Sequence, residues 1–277
     1  MTANIQTQKQ SVLEFTRPSM LVREPQPGIT LFAIGMIGLG VLGLVVGDFA
    51  MQWQPVAPWF PARTLLAYLA AMLSLVCGVG LLFRATVKLS VRVLFAYSIA
   101  WALLKAPALV VAPKIEGVWL AFGEIAVLMA GAWTLFARLG DAGESWATGD
   151  RGVRWARYWF AAWLIPIGIS HFVYPHETAQ LVPAWLPDRP FWGYLTGAGQ
   201  FASGLGVLAG VLPRVAAWCE AGQITLFTLL VWVPAVFAAP QTRLPWTAFW
   251  ISWAIGAGAW VVAQNIGPRW KGASSTG

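Results

Sequence analysis

The residues that call for a chemical explanation are the ionisable ones set in apolar stretches, because charge in hydrocarbon is costly and marks function by default. Lys105 and Glu124 are the clearest pair, eight residues before Pro113 and seven after Gly117. At 1.5 Å per residue both stand about 10–12 Å below the same turn. This spacing predicts an ion pair across a helical hairpin, with Asp48 entering from the same side to make a three-charge cluster. Such a pair is either a structural tie, whose burial alone does not make it a net stabiliser, or part of a polar ligand pocket. His171 ends another apolar stretch, with Tyr174, Tyr194 and Gln200 expected nearby. An imidazole there is either a helix-end hydrogen-bonding group or a proton relay or quinone head-group contact, since it donates and accepts near neutral pH. Asp48, Lys105, Glu124, His171, Tyr174, Tyr194 and Gln200 are therefore the candidate ligand-binding residues, and no catalytic residue is assigned.

Other chemistries find no support. His171 and His176 lie five apart on one boundary with no complementary histidine or cysteine cluster, which argues against metal and haem. Cys77 and Cys219 occupy separate apolar runs, form no CxxC pair and are expected to pack. Neither a phosphate-cradling glycine loop nor a Ser-His-Asp constellation can be assembled. Glu220 and Gln223 begin their apolar run, so Glu220 is expected to snorkel to water.

The elements that must position these residues are membrane helices. Of 277 residues, 58% are hydrophobic and only 10% charged, outside the globular range. A net charge of +7 does not imply nucleic acid, because the basic residues lie in the connections between apolar runs. Eight runs, at 29–50, 64–83, 91–111, 118–137, 156–174, 191–211, 216–238 and 246–265, each approach the ~20 residues a spanning helix needs. Helices satisfy the backbone where lipid offers no partner. The expected fold is all-α, a polytopic membrane bundle of eight transmembrane helices. Residues 1–28 form a cytoplasmic arm, 138–155 a charged cytoplasmic linker and 266–277 a cytoplasmic tail. The run 29–50 is too long for the core of a cleaved signal.

Orientation follows from the basic residues. Lys9, Arg17, Arg23, Arg84, Lys88, Arg92, Arg138, Arg151, Arg154, Arg157, Arg214, Arg269 and Lys271 share one side, against Arg63, Lys114, Arg189 and Arg243 on the other. Both termini are then cytoplasmic, in a plasma membrane of bacterial inner-membrane type. Trp53, Trp59, Trp119, Trp185, Trp192 and Trp246 are expected in the outer aromatic belt, and Trp146, Trp155, Trp218 and Trp270 in the inner one.

The chain also repeats itself. Trp59, Pro61, Tyr68, Gly78 and Gly80 match Trp185, Pro187, Tyr194, Gly204 and Gly206; Pro107, Pro113, Trp119 and Phe122 match Pro234, Pro240, Trp246 and Phe249. Gly131-Ala132-Trp133 matches Gly258-Ala259-Trp260, and Asp48 stands where the second copy has His171. Two four-helix repeats, 29–137 and 156–265, result. Four being even, they cross in the same direction, about an axis along the membrane normal. The glycine pairs are expected to be close-packing points. One outward-facing pocket per half is expected, acidic in the first and histidine-based in the second.

His171-Phe172, Tyr174-Pro175, Val182-Pro183, Trp185-Leu186-Pro187, Tyr194-Leu195-Thr196-Gly197 and Gly204-Leu205-Gly206 resemble the DoxX-like membrane proteins. The resemblance covers about 155–265 best; the first half lacks the histidine and the tyrosine-proline step. It implies small four-helix bundles, with relatives that include a thiosulfate–quinone oxidoreductase subunit and members linked to thiol or oxidative-stress partners. The expectation is a redox-associated membrane subunit, with quinone as the compatible ligand and a membrane or soluble redox protein as partner. Any electron carrier would be bound or brought by another protein. Two other readings stand beside it: a non-catalytic anchor or assembly factor, and a transporter or lipid-binding bundle. Against the transporter, no helix reads as broken at mid-membrane, although Pro107, Pro166 and Pro234 can kink theirs. Whether the chain is an enzyme stays open.

Overall fold

The computed structural model describes residues 26–140, 143 and 145–267, and among these the chain is helical with no strand. The arm up to Pro25, with Lys9, Arg17 and Arg23, lies outside the described residues, as do Arg269, Trp270, Lys271 and part of the linker. The elements are α1 (Pro27–Val46), a 3-10 turn (Met51–Trp53), α2 (Arg63–Gly80), α3 (Val87–Val111), α4 (Glu116–Leu139), α5 (Gly149–Val173), α6 (Pro175–Leu181), α7 (Arg189–Ala209), α8 (Pro213–Phe227), a π turn (Thr228–Trp232), α9 (Val233–Ala238) and α10 (Arg243–Gln264).

Six stretches are long and apolar enough to cross a membrane: α1, α2, α3, α4, the continuous run Pro213–Ala238, and α10. Helices α5 and α7 match them in length, at 25 and 21 residues, but carry histidine, glutamine and glycine with many aromatic rings. The apolar faces of several spans point outward, with Val45, Val110, Val111 and Phe237 each about four-fifths exposed, as lipid-facing surface would be.

Helices α4 and α10 form the centre and are the most buried of the six spans. They cross where Gly131 meets Gly258: a Cβ on Gly131 would lie 2.5 Å from the Gly258 Cα. Around this crossing α1 packs on α2 and α10, while α5 packs on α7 and α4. The first helix of each half thus closes against the last helix of the other, and the halves interlock as one body. Indoles tie these seams, Trp253 Nε1 donating to the Leu31 carbonyl at 2.9 Å and Trp159 Nε1 to that of Ala126 at 3.1 Å.

Positions matched in the sequence make like contacts. A Cβ on Gly78 would meet the α1 backbone at Ile37 N (2.9 Å), and one on Gly204 the α5 backbone at Ala161 O (2.7 Å). Two residues on, Gly80 and Gly206 face α3 and α8 through Ser90 and Ala216. Tyr97 Oη reaches the Ala70 carbonyl at 3.4 Å, and Gln223 Nε2 donates to the matching Thr196 carbonyl at 2.9 Å. Trp119 and Trp246 both donate to the carbonyl of the proline six residues before, Pro113 and Pro240.

Three expectations need correction. The seventh apolar run is interrupted by the π turn Thr228–Trp232, just before Pro234. Proline lacks an N–H and its ring crowds the carbonyl four residues back, and a π turn absorbs the extra residue that relieves this. The extra residue explains why the match spacing grows by one between Tyr97/Gln223 and Pro107/Pro234. Trp53 is not in an aromatic belt: it is buried at 6% exposure, inside the bundle. Glu220 does not snorkel, being wholly buried at 0% exposure. Of the cysteines, Cys77 is buried and Cys219 exposed.

Candidate functional site

The site begins where α1 ends. Gly47 takes the left-handed conformation (φ 68°) and its N–H closes on the Gly43 carbonyl at 2.9 Å. Only glycine adopts this readily, and a Cβ here would also meet Tyr68 Oη at 2.8 Å. The chain then folds back into the bundle, burying Phe49 and Trp53. Gln54 Oε1 accepts from Ala50 N at 2.7 Å, and its Nε2 donates to Tyr97 Oη at 2.7 Å. Tyr97 stands near the middle of α3, with Ser74 Oγ 3.3 Å from its hydroxyl. Irregular backbone at this depth is tolerated only where protein buries it or a cavity runs beside it.

Both conditions hold. A cavity of about 60 Å³ lies between α1, α2, α3, α4 and α10, room for about four waters or a small head group. Its walls are apolar, including Met36, Leu39, Leu42, Ala71, Ile125, Leu128 and Ile251, with Ser74, Tyr97, Ser98 and Trp101 supplying polar atoms. Trp101 is 9% exposed, and its Nε1 is buried without a hydrogen-bond partner. An indole N–H only donates, and the Tyr97 hydroxyl stands beside it without closing a well-aligned bond.

The mouth is an ion cluster. Asp48 Oδ1 pairs with Arg63 Nη1 at the start of α2 and accepts from Phe49 N at 2.8 Å. Asp48 Oδ2 pairs with Arg243 Nη1 of α10 at 3.1 Å, and Arg243 Nη2 also donates to the Phe49 carbonyl. Two guanidinium groups share one carboxylate, and of the three Asp48 and Arg243 line the cavity while Arg63 lies outside its lining. The expectation of an acidic first pocket is thereby corrected: Asp48 is spent holding α1, α2 and α10 together.

Lys105 and Glu124 lie near enough for their charges to interact but do not make the expected direct ion-pair contact. Lys105, 8% exposed, instead donates from Nζ to the Ala121 carbonyl at 2.8 Å. Glu124 Oε2 accepts from Trp53 Nε1 at 2.5 Å. The inward fold of the 49–54 loop brings an indole to Glu124, and the lysine caps a nearer carbonyl. Asp48, Lys105 and Glu124 are thus on one side of the bundle but do not make a three-charge cluster.

The second half holds a different arrangement. His171 Nδ1 lies 3.1 Å from the Gly193 carbonyl and 3.3 Å from Thr196 Oγ1. Gln200, on the next turn of α7, stands beside both His171 and Glu220 of α8. Tyr174 and Tyr194 are elsewhere: Tyr174 Oη accepts from Gly117 N at 3.0 Å, and the Tyr194 ring stacks on Phe172 at 5.7 Å on the surface. Of the expected neighbours of His171, only Gln200 joins it.

The sequence reading passed over Gln54, Ser74, Tyr97 and Trp101, took Arg243 only as a topology signal and took Glu220 as solvated. The repeat was the signal that could have found some of them, since Ser74 matches Gln200 and Tyr97 matches Gln223. Among the described residues no cluster of three histidine, cysteine or acidic side chains could hold a metal.

Comparison with known proteins adds one finding. A family model described as a domain of unknown function, DUF8561, matches residues 160–257. No curated protein and no solved structure matches the chain.

Proposed function

We propose that the protein is a DoxX-like membrane protein that binds a lipid-soluble, carbonyl-bearing molecule of quinone type in the Asp48 cavity and serves a redox partner. Trp101 Nε1, without a well-aligned hydrogen bond in an apolar cavity that Asp48 and Arg243 also line, carries this reading. A carbonyl oxygen is the acceptor such a donor needs, and apolar walls favour a ring or chain over a hydrated ion. The cavity draws residues from both halves, which agrees with a binding function for the interlocked body. In this reading the chain crosses the membrane eight times as two parallel four-helix repeats, with α5 and α7 among the spans. The like contacts at matched positions support that arrangement. The basic residues support cytoplasmic termini in a bacterial-type plasma membrane, with the Asp48 mouth facing out.

The test is mass spectrometry of the protein purified in mild detergent, followed by binding of a soluble quinone analogue. Trp101→Phe keeps the ring and removes the donor, so affinity should fall about tenfold, the size of one hydrogen bond. Equal affinity in the two proteins would remove the assignment. A stable protein partner with no small molecule would make the protein an anchor instead. Labelling of single cysteines by a membrane-impermeant thiol reagent tests the topology: Lys114→Cys should react from outside and Arg84→Cys should not.

A further inference from the structure

The half of the molecule opposite the Asp48 cavity carries a second polar cluster that the quinone reading does not use. We propose that Glu220, Gln200 and His171 form a buried relay holding one exchangeable proton, on the carboxyl in one arrangement and on the imidazole in the other. Glu220 is 0% exposed and Gln200 9% exposed, and both Glu220 oxygens and Gln200 Oε1 are buried without a hydrogen-bond partner. Three acceptor oxygens together lack a donor. Gln200 lies between the carboxyl on α8 and the imidazole on α5.

Hydrogen-bond polarity sets the two arrangements. The Gly193 carbonyl, 3.1 Å from His171 Nδ1, only accepts, so Nδ1 carries a hydrogen. In a neutral imidazole Nε2 is then the acceptor, and the Gln200 amide turns its N–H₂ to it. That turn aims Gln200 Oε1 at Glu220, which can complete the chain only with a carboxyl O–H. Rotating the amide by half a turn reverses every bond. Its N–H₂ then serves an ionised Glu220, its oxygen faces His171, and Nε2 must carry a hydrogen on a charged imidazole. One O–H bond at Glu220 has been exchanged for one N–H bond at His171. The sum of charge over the pair is unchanged, and no oxidant or reductant is involved.

His171 is two residues from the end of α5 and only partly buried, which gives the proton access to water at that end. The surrounding elements hold few competing groups. Helix α5 offers buried Arg157 toward its other end, set over the Tyr158 ring at 5.0 Å. Helix α6, packed on α5 and α7, carries His176 and Glu177; α7 carries Arg189 and Tyr194 near its start, and α8 carries Arg214 and Cys219. Helix α10 has no titratable side chain after Arg243. The relay is not demanded by the helix packing, since the positions matching Gln200 and Glu220 hold Ser74 and Leu94, while His171 matches Asp48.

Infrared spectra of the full-length protein in detergent, in water and in deuterium oxide, read the carbonyl band of a protonated carboxyl. A deuterium-sensitive band should be present, vary with pH and vanish in Glu220→Gln. His171→Phe removes the alternative proton site and should hold the band at full strength across the pH range where the unsubstituted protein varies. Gln200→Leu leaves both ends intact and should cut the dependence of the band on His171, which keeps the test open if Glu220→Gln misfolds. A band that survives in Glu220→Gln, or that is indifferent to His171, overturns the relay. So does loss of the band on exchanging potassium for sodium at constant pH and ionic strength, which would make the site one for a metal cation.

Discussion

At the scale of single residues, Asp48 illustrates how a suspicious charge is resolved. It answers two arginines, Arg63 and Arg243, whose side chains are 25% and 31% exposed while its own is 28% exposed. Pairs this open to solvent contribute up to about 1 kcal/mol each. Arg63→Ala and Arg243→Ala should each lower stability in detergent by about that much. Asp48→Ala removes both pairs and leaves two guanidinium groups facing each other, so its loss should exceed either. Raising salt screens that repulsion, and the Asp48→Ala unfolding temperature should therefore recover part of its deficit at high salt. A deficit indifferent to salt would show that the contacts of Asp48 with the 49–54 backbone, rather than charge, dominate.

At the scale of elements, the π turn in the run Pro213–Ala238 is the informative departure from regularity. It contains one residue more than the matched stretch of α3, and Thr228 Oγ1 anchors its start to the Ile224 carbonyl at 2.9 Å and to Ser252 Oγ at 2.6 Å. Deleting Leu230 should convert the turn to regular helix while Pro234 keeps its place relative to α10. Deleting Leu195 from the middle of α7 should instead rotate every later residue of that helix by about 100° and swing Gly204 away from α5. Size-exclusion profiles and helical circular dichroism distinguish the two: a monodisperse Leu230 deletion beside an aggregated Leu195 deletion is expected. The existence of the long apolar helices was legible in composition and run length. The inward fold after α1 was not, because Phe49 and Trp53 are as compatible with a membrane boundary as with a core. Their burial depends on whether neighbouring helices leave a gap to receive them.

At the scale of the whole molecule, the α4–α10 crossing decides how the halves assemble. Gly131→Ala would drive a methyl against the Gly258 backbone at 2.5 Å, whereas the nearest atom to a Cβ on Gly258 is the Val127 carbonyl oxygen at 3.3 Å. Overpacking of this kind costs about 1–3 kcal/mol. Gly131→Ala should therefore lower the unfolding temperature clearly more than Gly258→Ala, although the two residues are matched in the repeat. Equal effects would mean that the backbones separate as freely from either side.

The sequence by itself determined that the chain forms apolar helices long enough to cross a membrane, because composition and run length decide whether a backbone must pair internally in lipid. It also determined the internal match, since close helix contacts require glycine wherever they recur, as at Gly78 and Gly204. Only the tertiary structure decided that α1 closes on α10 and α5 on α4, that Lys105 passes over Glu124 for the Ala121 carbonyl, and that Glu220 is wholly buried. The physical reason is common to all three. Run length gives depth along a helix axis, but partners are chosen by rotation about that axis and by which helix lies alongside, and both arise from packing between segments far apart in the chain.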